Sequence, residues 1–388
     1  MAIPGNVVAP DFLRKTSLGE LSVRRSQRDA GAVPVTRVQY RRLDSPVAYG
    51  LSAPRRNGAT VNRSNIGPLS VSPIALGAML FGARVDEGTS RRLLDQYVEW
   101  GGNFLDTANN YAFWVEGAHA GSSEELLGRW LKDRGRRDDI VVASKVGARP
   151  VRKGAGLGEI EGLGRDVIVA QVEASLKRLG TDYLDLCYAH IDDRTVPLED
   201  TLEGFARVVD SGKVRAIGCS NYSVWRIERA LQLSSKKALP RYVVLQQQFS
   251  YLRPRPYSDF RVHPELGLRG GYGTEGGLSP DHLDYIRFNP DFRVVAYTPL
   301  LRGGYANPER LGPEYRTDDN RKRSEALTQV AAETSATAGQ VALAWMMQSS
   351  PAIIPLVAVS TGEQLSENLA ATELRLSPDQ LNRLTHAA

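Results

Sequence analysis

The chain carries four ionisable residues whose types suit the delivery of a proton to a carbonyl oxygen. Asp106 and Tyr111 lie at and just after the end of one short apolar segment, and Lys145 and His190 lie at the ends of the next two. A free tyrosine has a pKa of about 10, and a nearby ammonium lowers this pKa by stabilising the phenolate. We therefore expect Tyr111 to donate the proton and Lys145 to make it more acidic. Asp106 would pair with Lys145, and His190 would orient the substrate oxygen.

Eight short apolar segments alternate with amphipathic stretches along most of the chain. Several are almost continuously apolar, which is typical of parallel strands covered on both faces. The pattern predicts a closed (β/α)8 TIM barrel, an α/β fold in which chemistry collects at the carboxyl ends of the strands. The predicted strands are residues 73–79, 103–107, 140–146, 183–190, 216–221, 242–249, 293–300 and 353–360.

An open, doubly wound sheet is the alternative fold. Its first strand would be followed by a GxGxxG turn, and no such turn follows residues 73–79. A glycine cluster at residues 154–164 comes after the third predicted strand, and we interpret it as a flexible loop. The spacing therefore favours the barrel.

The composition excludes several classes of protein. With 42% hydrophobic and 24% charged residues and no apolar run long enough to span a membrane, the 388-residue chain is expected to be globular, without a membrane partner. Its two cysteines, Cys187 and Cys219, argue against a cysteine metal site or a disulfide framework, and we predict a cytoplasmic location. Residues 1–58 hold ten Arg and Lys against four Asp and Glu, so the net charge of +5 lies in this basic N-terminal extension. The remainder lacks a basic surface for nucleic acid.

The residues singled out above also resemble those of a known family. The run Asn-Phe-Leu-Asp-Thr-Ala-Asn-Asn-Tyr at 103–111, with Lys145 and His190, resembles the catalytic tetrad of the aldo-keto reductases. The run Arg-Leu-Gly-Thr-Asp-Tyr-Leu-Asp-Leu at 178–186 is similar to the sequence that precedes their catalytic histidine. The resemblance covers residues 59–388 and implies an NADP-dependent oxidoreductase. Such an enzyme transfers a hydride from C4 of NADPH to an aldehyde or ketone, with Tyr111 as the general acid.

The same resemblance implies a cofactor site. Polar side chains would bind the nicotinamide carboxamide, an aromatic ring would stack on the nicotinamide, and two further groups would hold the pyrophosphate and the adenosine. In that order, these are Ser220, Asn221 and Gln246; Tyr297; Thr298, Pro299, Leu300 and Gly303; and Ser360, Thr361, Gln364, Glu367 and Asn368. Many relatives place Lys or Arg around positions 358–364 to hold the 2′-phosphate of NADPH, and this chain has neither there. NADPH is therefore favoured, with NADH as the alternative.

Other segments are expected to shape the substrate pocket or close the barrel. The candidates for the pocket are Phe113, Trp114, Trp225 and Arg302. Residues 253–277 are rich in Pro, Gly and Arg and follow the sixth predicted strand, so we expect them to form a lid. Residues 61–72 resemble the hairpin that closes the bottom of the barrel in this family.

Two other functions are compatible with parts of the sequence. A nicotinamide-binding regulatory subunit, like the channel-associated relatives of the family, could keep the tetrad and turn over slowly. A Schiff-base aldolase would use Lys145 as a nucleophile, but it leaves Tyr111 and Tyr297 unexplained. The sequence reveals neither the substrate nor the oligomeric state.

Overall fold

A computed structural model describes residues 62–255, 261–263, 268–269 and 277–388. The predicted extension, residues 1–58, lies outside the described residues. The strands are β1 Ser64–Ile66, β2 Leu69–Val71, β3 Ala75–Gly77, β4 Phe104–Asp106, β5 Val141–Val146, β6 Leu184–Ala189, β7 Val214–Ser220, β8 Tyr242–Gln248, β9 Arg261–His263, β10 Leu268–Arg269, β11 Arg293–Tyr297 and β12 Ile354–Val357. The α-helices are α1 Glu87–Glu99, α2 Ser122–Arg134, α3 Arg165–Leu179, α4 Leu198–Asp210, α5 Val224–Lys237, α6 Pro280–Phe288, α7 Asp318–Thr334, α8 Ala338–Gln348, α9 Gly362–Ala370 and α10 Pro378–Thr385.

Eight of these strands form a closed barrel in the order β11-β12-β3-β4-β5-β6-β7-β8. Every pairing between neighbours is parallel. Each predicted strand overlaps one barrel strand, and helices connect most of them. The predicted (β/α)8 barrel is therefore confirmed.

Successive side chains of the barrel strands point alternately inward and outward, which explains the continuous apolar runs. All residues of β5 and β6 are buried. Ala143 and Leu186 belong to the cluster inside the barrel, whereas Val142 and Cys187 belong to the larger cluster that includes the helices. A parallel strand covered on both faces has no position for exposed polar residues. Polar residues that do occur in such strands are therefore candidates for a functional site.

The hairpin of β1 and β2 closes the amino-terminal end of the barrel, as the sequence indicated. Ile66, Leu69 and Val71 are buried in the same cluster as Phe104 and other inward-facing strand residues. Gly67, at the hairpin turn, has a φ of +52°, and a Cβ there would lie 3.0 Å from Val243. The opposite end, where the strands finish, stays open for a binding site.

The glycine-rich segment after β5 is a loop, as the sequence indicated. It folds back on itself: the amide of Val151 donates to the carbonyl of Glu159 at 3.1 Å, and that of Glu161 donates to Arg149 at 2.9 Å. The half-buried Glu161 side chain accepts from the amide of Gly147 at 2.6 Å. We call residues 149–161 the β5–α3 hairpin. It stands at the open end of the barrel.

Within the described ranges, none of the helices is both long and apolar enough to cross a membrane.

Candidate active site

The site is built around an ion pair buried at the carboxyl ends of β4 and β5. Asp106 is the last residue of β4, Lys145 is the fifth residue of β5, and neither side chain is more than 1% exposed. The Lys145 ammonium donates to Asp106 Oδ1 and to the carbonyl oxygen of Thr107 at 2.8 Å. Its third hydrogen bond, at 2.9 Å, goes to the hydroxyl of Tyr111. Hydrogen bonds of Lys145 thus link three of the four predicted residues.

Tyr111 reaches the ammonium from a tight loop between β4 and α2. Its amide donates to Ala108 at 3.2 Å, its carbonyl accepts from Gly121 at 3.3 Å, and the next residue, Ala112, has a φ of 72°. The ring of His190, which directly follows β6, lies edge-on to it with 5.9 Å between centroids. The His190 amide donates to Val146 at 2.9 Å, which anchors the histidine to β5. The structure brings all four predicted residues together.

The electrostatics of Tyr111 differ from the sequence expectation. Burial raises the pKa of Tyr111 well above its usual value, and the charge of Asp106 raises it further. From the sequence, the Lys145 ammonium was expected to lower this pKa. In the structure the Asp106 carboxylate opposes the ammonium, and loss of water around the phenol dominates. Burial also raises the pKa of Asp106 and lowers the pKa of Lys145, against their mutual attraction.

A cleft of about 1000 Å³ opens above this cluster. Lys145 lies behind it, fully buried, whereas part of Tyr111 is open to the cleft. Most of the predicted site residues line it: Asp106, Tyr111, Trp114, His190, Ser220, Asn221, Gln246, Tyr297, Thr298, Pro299, Leu300, Arg302, Gly303, Ser360, Gln364, Glu367 and Asn368. Its volume suits a dinucleotide together with a small substrate.

Next to the tetrad, a chain of hydrogen bonds fixes the polar side chains predicted to face a nicotinamide. The hydroxyl of Tyr297 donates to Asn221 Oδ1 at 2.9 Å. The Asn221 amide group donates to Ser220 Oγ at 3.1 Å and to the carbonyl of His190 at 3.2 Å. Asn221 itself has a φ of 62°, a left-handed conformation that Asn tolerates better than most residues. These contacts hold an aromatic ring and amide groups at one wall, a set that fits a flat amide-bearing ring.

After β11 the backbone turns sharply along the cleft. Thr298, Leu301 and Arg302 have φ values of 57°, 50° and 54°, and Gly303 has 85°. A Cβ on Gly303 would lie 3.4 Å from the guanidinium of Arg310. Non-glycine residues in this region are uncommon, and they cluster at ligand sites. The segment therefore fits the expected approach to a pyrophosphate.

The family model for the aldo/keto reductase family matches residues 73–263 and 279–388. The chain belongs to the aldo-keto reductase family. It is 31% identical over 328 residues to YrpG, an uncharacterised oxidoreductase of Bacillus subtilis, covering 81% of this chain and 92% of that protein. It is 30% identical over 335 residues to an aryl-alcohol dehydrogenase [NADP(+)] of Phanerodontia chrysosporium, covering 81% and 82%. The crystal structure of the thermostable aldo-keto reductase Tm1743 with the inhibitor epalrestat superposes with a TM-score of 0.63, at 26% identity, over 84% of this chain and 100% of that one.

In this aldo-keto reductase, hydrogen bonds hold several of the residues expected near adenosine. The side-chain oxygen of Gln364 accepts from the amide and the hydroxyl of Ser360 at 2.8 and 3.1 Å. Glu367 accepts from Thr337 at 2.7 Å. Thr361 is the N-cap of α9, where its hydroxyl accepts from the Gln364 amide, and it does not line the cleft. The structure thus gives Thr361 a helix-capping role.

Two aromatic residues predicted for the substrate pocket lie elsewhere. Trp225 is 60% exposed and lines a separate groove, with the guanidiniums of Arg194 and Arg226 each 5.6 Å from its ring centroid. Phe113 packs edge-on against Trp114 at 5.1 Å and does not line the cleft itself. Both were predicted for the pocket because Trp225 closely follows Asn221 and Phe113 closely follows Tyr111 in the sequence. Helix α5 carries Trp225 to the outside of the barrel.

Several residues that line the cleft were not predicted. Leu157 and Ile160 come from the β5–α3 hairpin and Ile191 follows His190, while Arg84 and Arg310 come from loops after β3 and β11. Ile191 could have been predicted, because it lies just after the carboxyl end of β6. The hairpin residues and Arg310 lie far from any strand end, and only the folded loops show their position. Most of the predicted lid, residues 253–277, lies outside the described residues; Gly277 lines the cleft.

Proposed function

We propose that this aldo-keto reductase reduces the carbonyl group of an aldehyde or ketone with NADPH, and that Tyr111 is the general acid. The observation that carries this proposal is the hydrogen bond of 2.9 Å between the Tyr111 hydroxyl and the buried Lys145 ammonium, at the floor of a cleft lined by His190. A bound reduced nicotinamide supplies the hydride. The residues of the chain supply the proton and hold the substrate oxygen.

The raised pKa of Tyr111 suits the role of an acid in reduction. The phenol stays protonated at neutral pH, so Tyr111 is always ready to donate, and it gives up its proton only as negative charge grows on the substrate oxygen. The ammonium of Lys145 then stabilises the phenolate oxygen through the hydrogen bond already in place. His190, at the edge of the Tyr111 ring, orients the substrate oxygen.

The preference for NADPH is supported by arginines that come from a different loop than expected. No Lys or Arg lies at positions 358–364, but Arg302 and Arg310 line the same cleft as Ser360 and Gln364. Both belong to the segment after β11, and an Arg310 Nη1 hydrogen bond of 3.4 Å to the carbonyl of Arg302 joins them. Guanidinium groups bind phosphate oxygens in a bidentate manner. We assign the 2′-phosphate to Arg310.

The variant Arg310→Met tests this assignment. We expect the Kd for NADPH, measured by quenching of intrinsic fluorescence, to rise at least about tenfold, since one charge-assisted contact is lost. The Kd for NADH should stay unchanged. Arg316→Met is the matched control, because Arg316 is exposed and does not line the cleft. Equal weakening of both cofactors by Arg310→Met would instead place the guanidinium at the pyrophosphate.

The apolar walls of the cleft favour a carbonyl carried on an apolar or aromatic group. Trp114, Leu157 and Ile160 line the same cleft as Tyr111 and are partly exposed. When an apolar substrate covers such a surface, the burial of apolar area stabilises the complex by roughly 25 cal/mol per Å². The relative from Phanerodontia chrysosporium is named for an aryl alcohol, which supports the same class. We propose aryl and other apolar aldehydes or ketones over sugars.

A carbonyl panel with NADPH, run for the wild type and for Tyr111→Phe, tests the function. The wild type should oxidise NADPH with aryl aldehydes at a higher kcat/KM than with aldoses. Tyr111→Phe keeps the ring and removes the proton donor, so kcat should fall at least about a hundredfold. The Kd for NADPH should be unchanged. Full activity in Tyr111→Phe would rule out Tyr111 as the acid.

A further inference from the structure

Gln246 makes a contact that its expected role as a cofactor ligand does not require. It lies in β8, its side chain is buried at 2% exposure, and its Nε2 donates to Asp106 Oδ2 at 2.7 Å. In the order of the barrel, β8 and β4 are four strands apart, so they face each other across the barrel. The side chain therefore spans the interior to reach the tetrad.

This contact completes the hydrogen bonding of Asp106. One carboxylate oxygen accepts from Lys145 and the other accepts from Gln246. A buried carboxylate with an unpaired oxygen is costly, and hydrogen bonds donated to the charged form favour ionisation. An ionised carboxylate accepts only, so the Gln246 amide must present its NH₂ group to Asp106. The orientation of the amide is thereby fixed, and its carbonyl oxygen remains for another donor.

We propose that Gln246 is a positioning residue for proton transfer, holding Asp106 ionised and in register with Lys145 so that the ammonium stays on the Tyr111 hydroxyl. This inference rests on the proposed function. Gln246 lines the cleft beside Ser220, its register partner in β7, and its amide nitrogen supports the acid through Asp106. Cofactor placement and proton delivery are then linked through a single buried amide.

The chemical consequence runs through three hydrogen bonds. Without the Gln246 donor, Asp106 keeps one buried oxygen unpaired and draws the proton of the Lys145–Asp106 pair toward itself. The ammonium loses charge, and the phenolate form of Tyr111 loses its stabilisation. The charged and titratable groups around the Tyr111 hydroxyl are Lys145 from β5, Asp106 from β4, Tyr188 from β6, His190 after β6 and Tyr297 from β11. Gln246 donates directly to Asp106 and also lies beside the Tyr188 hydroxyl.

The pH profile of alcohol oxidation with NADP⁺ measures this effect, because Tyr111 must then accept a proton and the rate rises as its phenol ionises. Gln246→Met removes the donor at similar length. We expect the midpoint of the kcat profile to move upward by about one pH unit or more, and kcat at pH 7.5 to fall about tenfold. Ser220→Ala is the matched control. It lies on the same wall but does not contact Asp106, so it should raise the Kd for NADPH and leave the midpoint in place.

Gln246→Glu serves as the second variant and keeps the test decisive if Gln246→Met folds poorly. Once two facing carboxyl groups share one proton they restore a hydrogen bond, so the Glu variant should shift the midpoint less than the Met variant. Thermal unfolding reports the folded state of each. A higher Kd for NADPH with an unmoved midpoint in the folded variants would overturn the inference. Absence of NADP⁺-dependent oxidation in the wild type would overturn the proposed function instead.

Discussion

Each end of the barrel holds a buried carboxylate beside a tyrosine, paired with one basic residue at the open end and with two at the closed end. At the open end, Asp106 pairs with Lys145, which donates to Tyr111. At the closed end, Asp185, the second residue of β6, is 2% exposed and is bonded by Arg137 at 2.7 Å and by an arginine of β7 at 3.0 Å. The two clusters share one set of chemical groups but are assembled differently.

At the closed end every group is held by several fixed partners. The Arg137 and Arg215 guanidiniums lie 4.3 and 3.8 Å from the ring centroid of Tyr183, on which they stack. Asp185 also accepts from the backbone amide of Val142 at 2.9 Å. Arginine stays charged under all ordinary conditions and binds in a rigid fork. This cluster is suited to fixing strand ends and unsuited to moving a proton.

At the open end the cation is a fully buried lysine, and burial lowers its pKa. Its proton can therefore shift within the pair, and one of its three hydrogen bonds leads out to a phenol that borders the cleft. The comparison teaches that the choice of cation separates a structural ion pair from a functional one. Lysine is the titratable choice, and arginine is the fixed one.

The largest effect should come from Lys145→Met. Removing the ammonium leaves the developing Tyr111 phenolate without its charged partner, so kcat for carbonyl reduction should fall about a thousandfold. Arg137→Met removes the corresponding cation at the closed end, and its kcat at 25 °C should match the wild type. Steady-state assays on the two variants decide the matter. Comparable losses in both would end the distinction between the two clusters.

For the free energy of unfolding, the carboxylate at the closed end should matter more than the carboxylate at the open end. Asp185→Asn leaves two guanidiniums facing a neutral amide, so the free energy of unfolding should fall by about 3 kcal/mol, while kcat is retained. Asp106→Asn should cost less stability because the partner Lys145, with its lowered pKa, can release its proton. Urea unfolding of the two variants gives both values. A larger loss in Asp106→Asn would contradict this account.

The sequence was sufficient for the barrel and for the tetrad because both follow local rules. Apolar runs of strand length mark the barrel strands, and Asp106, Lys145 and His190 occur where those runs end. The contact between Gln246 and Asp106 is different, since it joins residues 140 positions apart across the barrel. Leu157 and Arg310 reach the cleft through folded loops, and the direction of the Tyr111 pKa depends on burial. These features come from tertiary packing, which no spacing of residues encodes.

A second phenol sharpens the comparison through pH. Tyr97 is buried at the closed end, donates to the carbonyl of Ile74 at 2.6 Å, and has a pKa raised by burial to about 12. The unfolded phenol ionises near pH 10, so between about pH 10 and 12 the folded state binds more protons. Stability should therefore fall as pH rises through this window, by at most about 2.7 kcal/mol for this group. Tyr97→Phe should flatten the slope of unfolding free energy against pH there, and an unaltered slope would show that Tyr97 ionises freely in the fold.

The smallest effect is expected from a variant that tests whether the several hydrogen bonds of the Arg137 guanidinium matter at the closed end. Arg137 donates to the carbonyls of Ile140 and Tyr183 at 2.6 and 3.0 Å, in addition to Asp185. Arg137→Lys keeps the charge but cannot reach all these acceptors at once, so the free energy of unfolding should fall by about 1 kcal/mol, with kcat unchanged. Thermal melts beside activity assays measure both quantities. If the lysine variant were as stable as the wild type, charge alone would explain this cluster, and the contrast with Lys145 would then rest on burial and on the path to Tyr111.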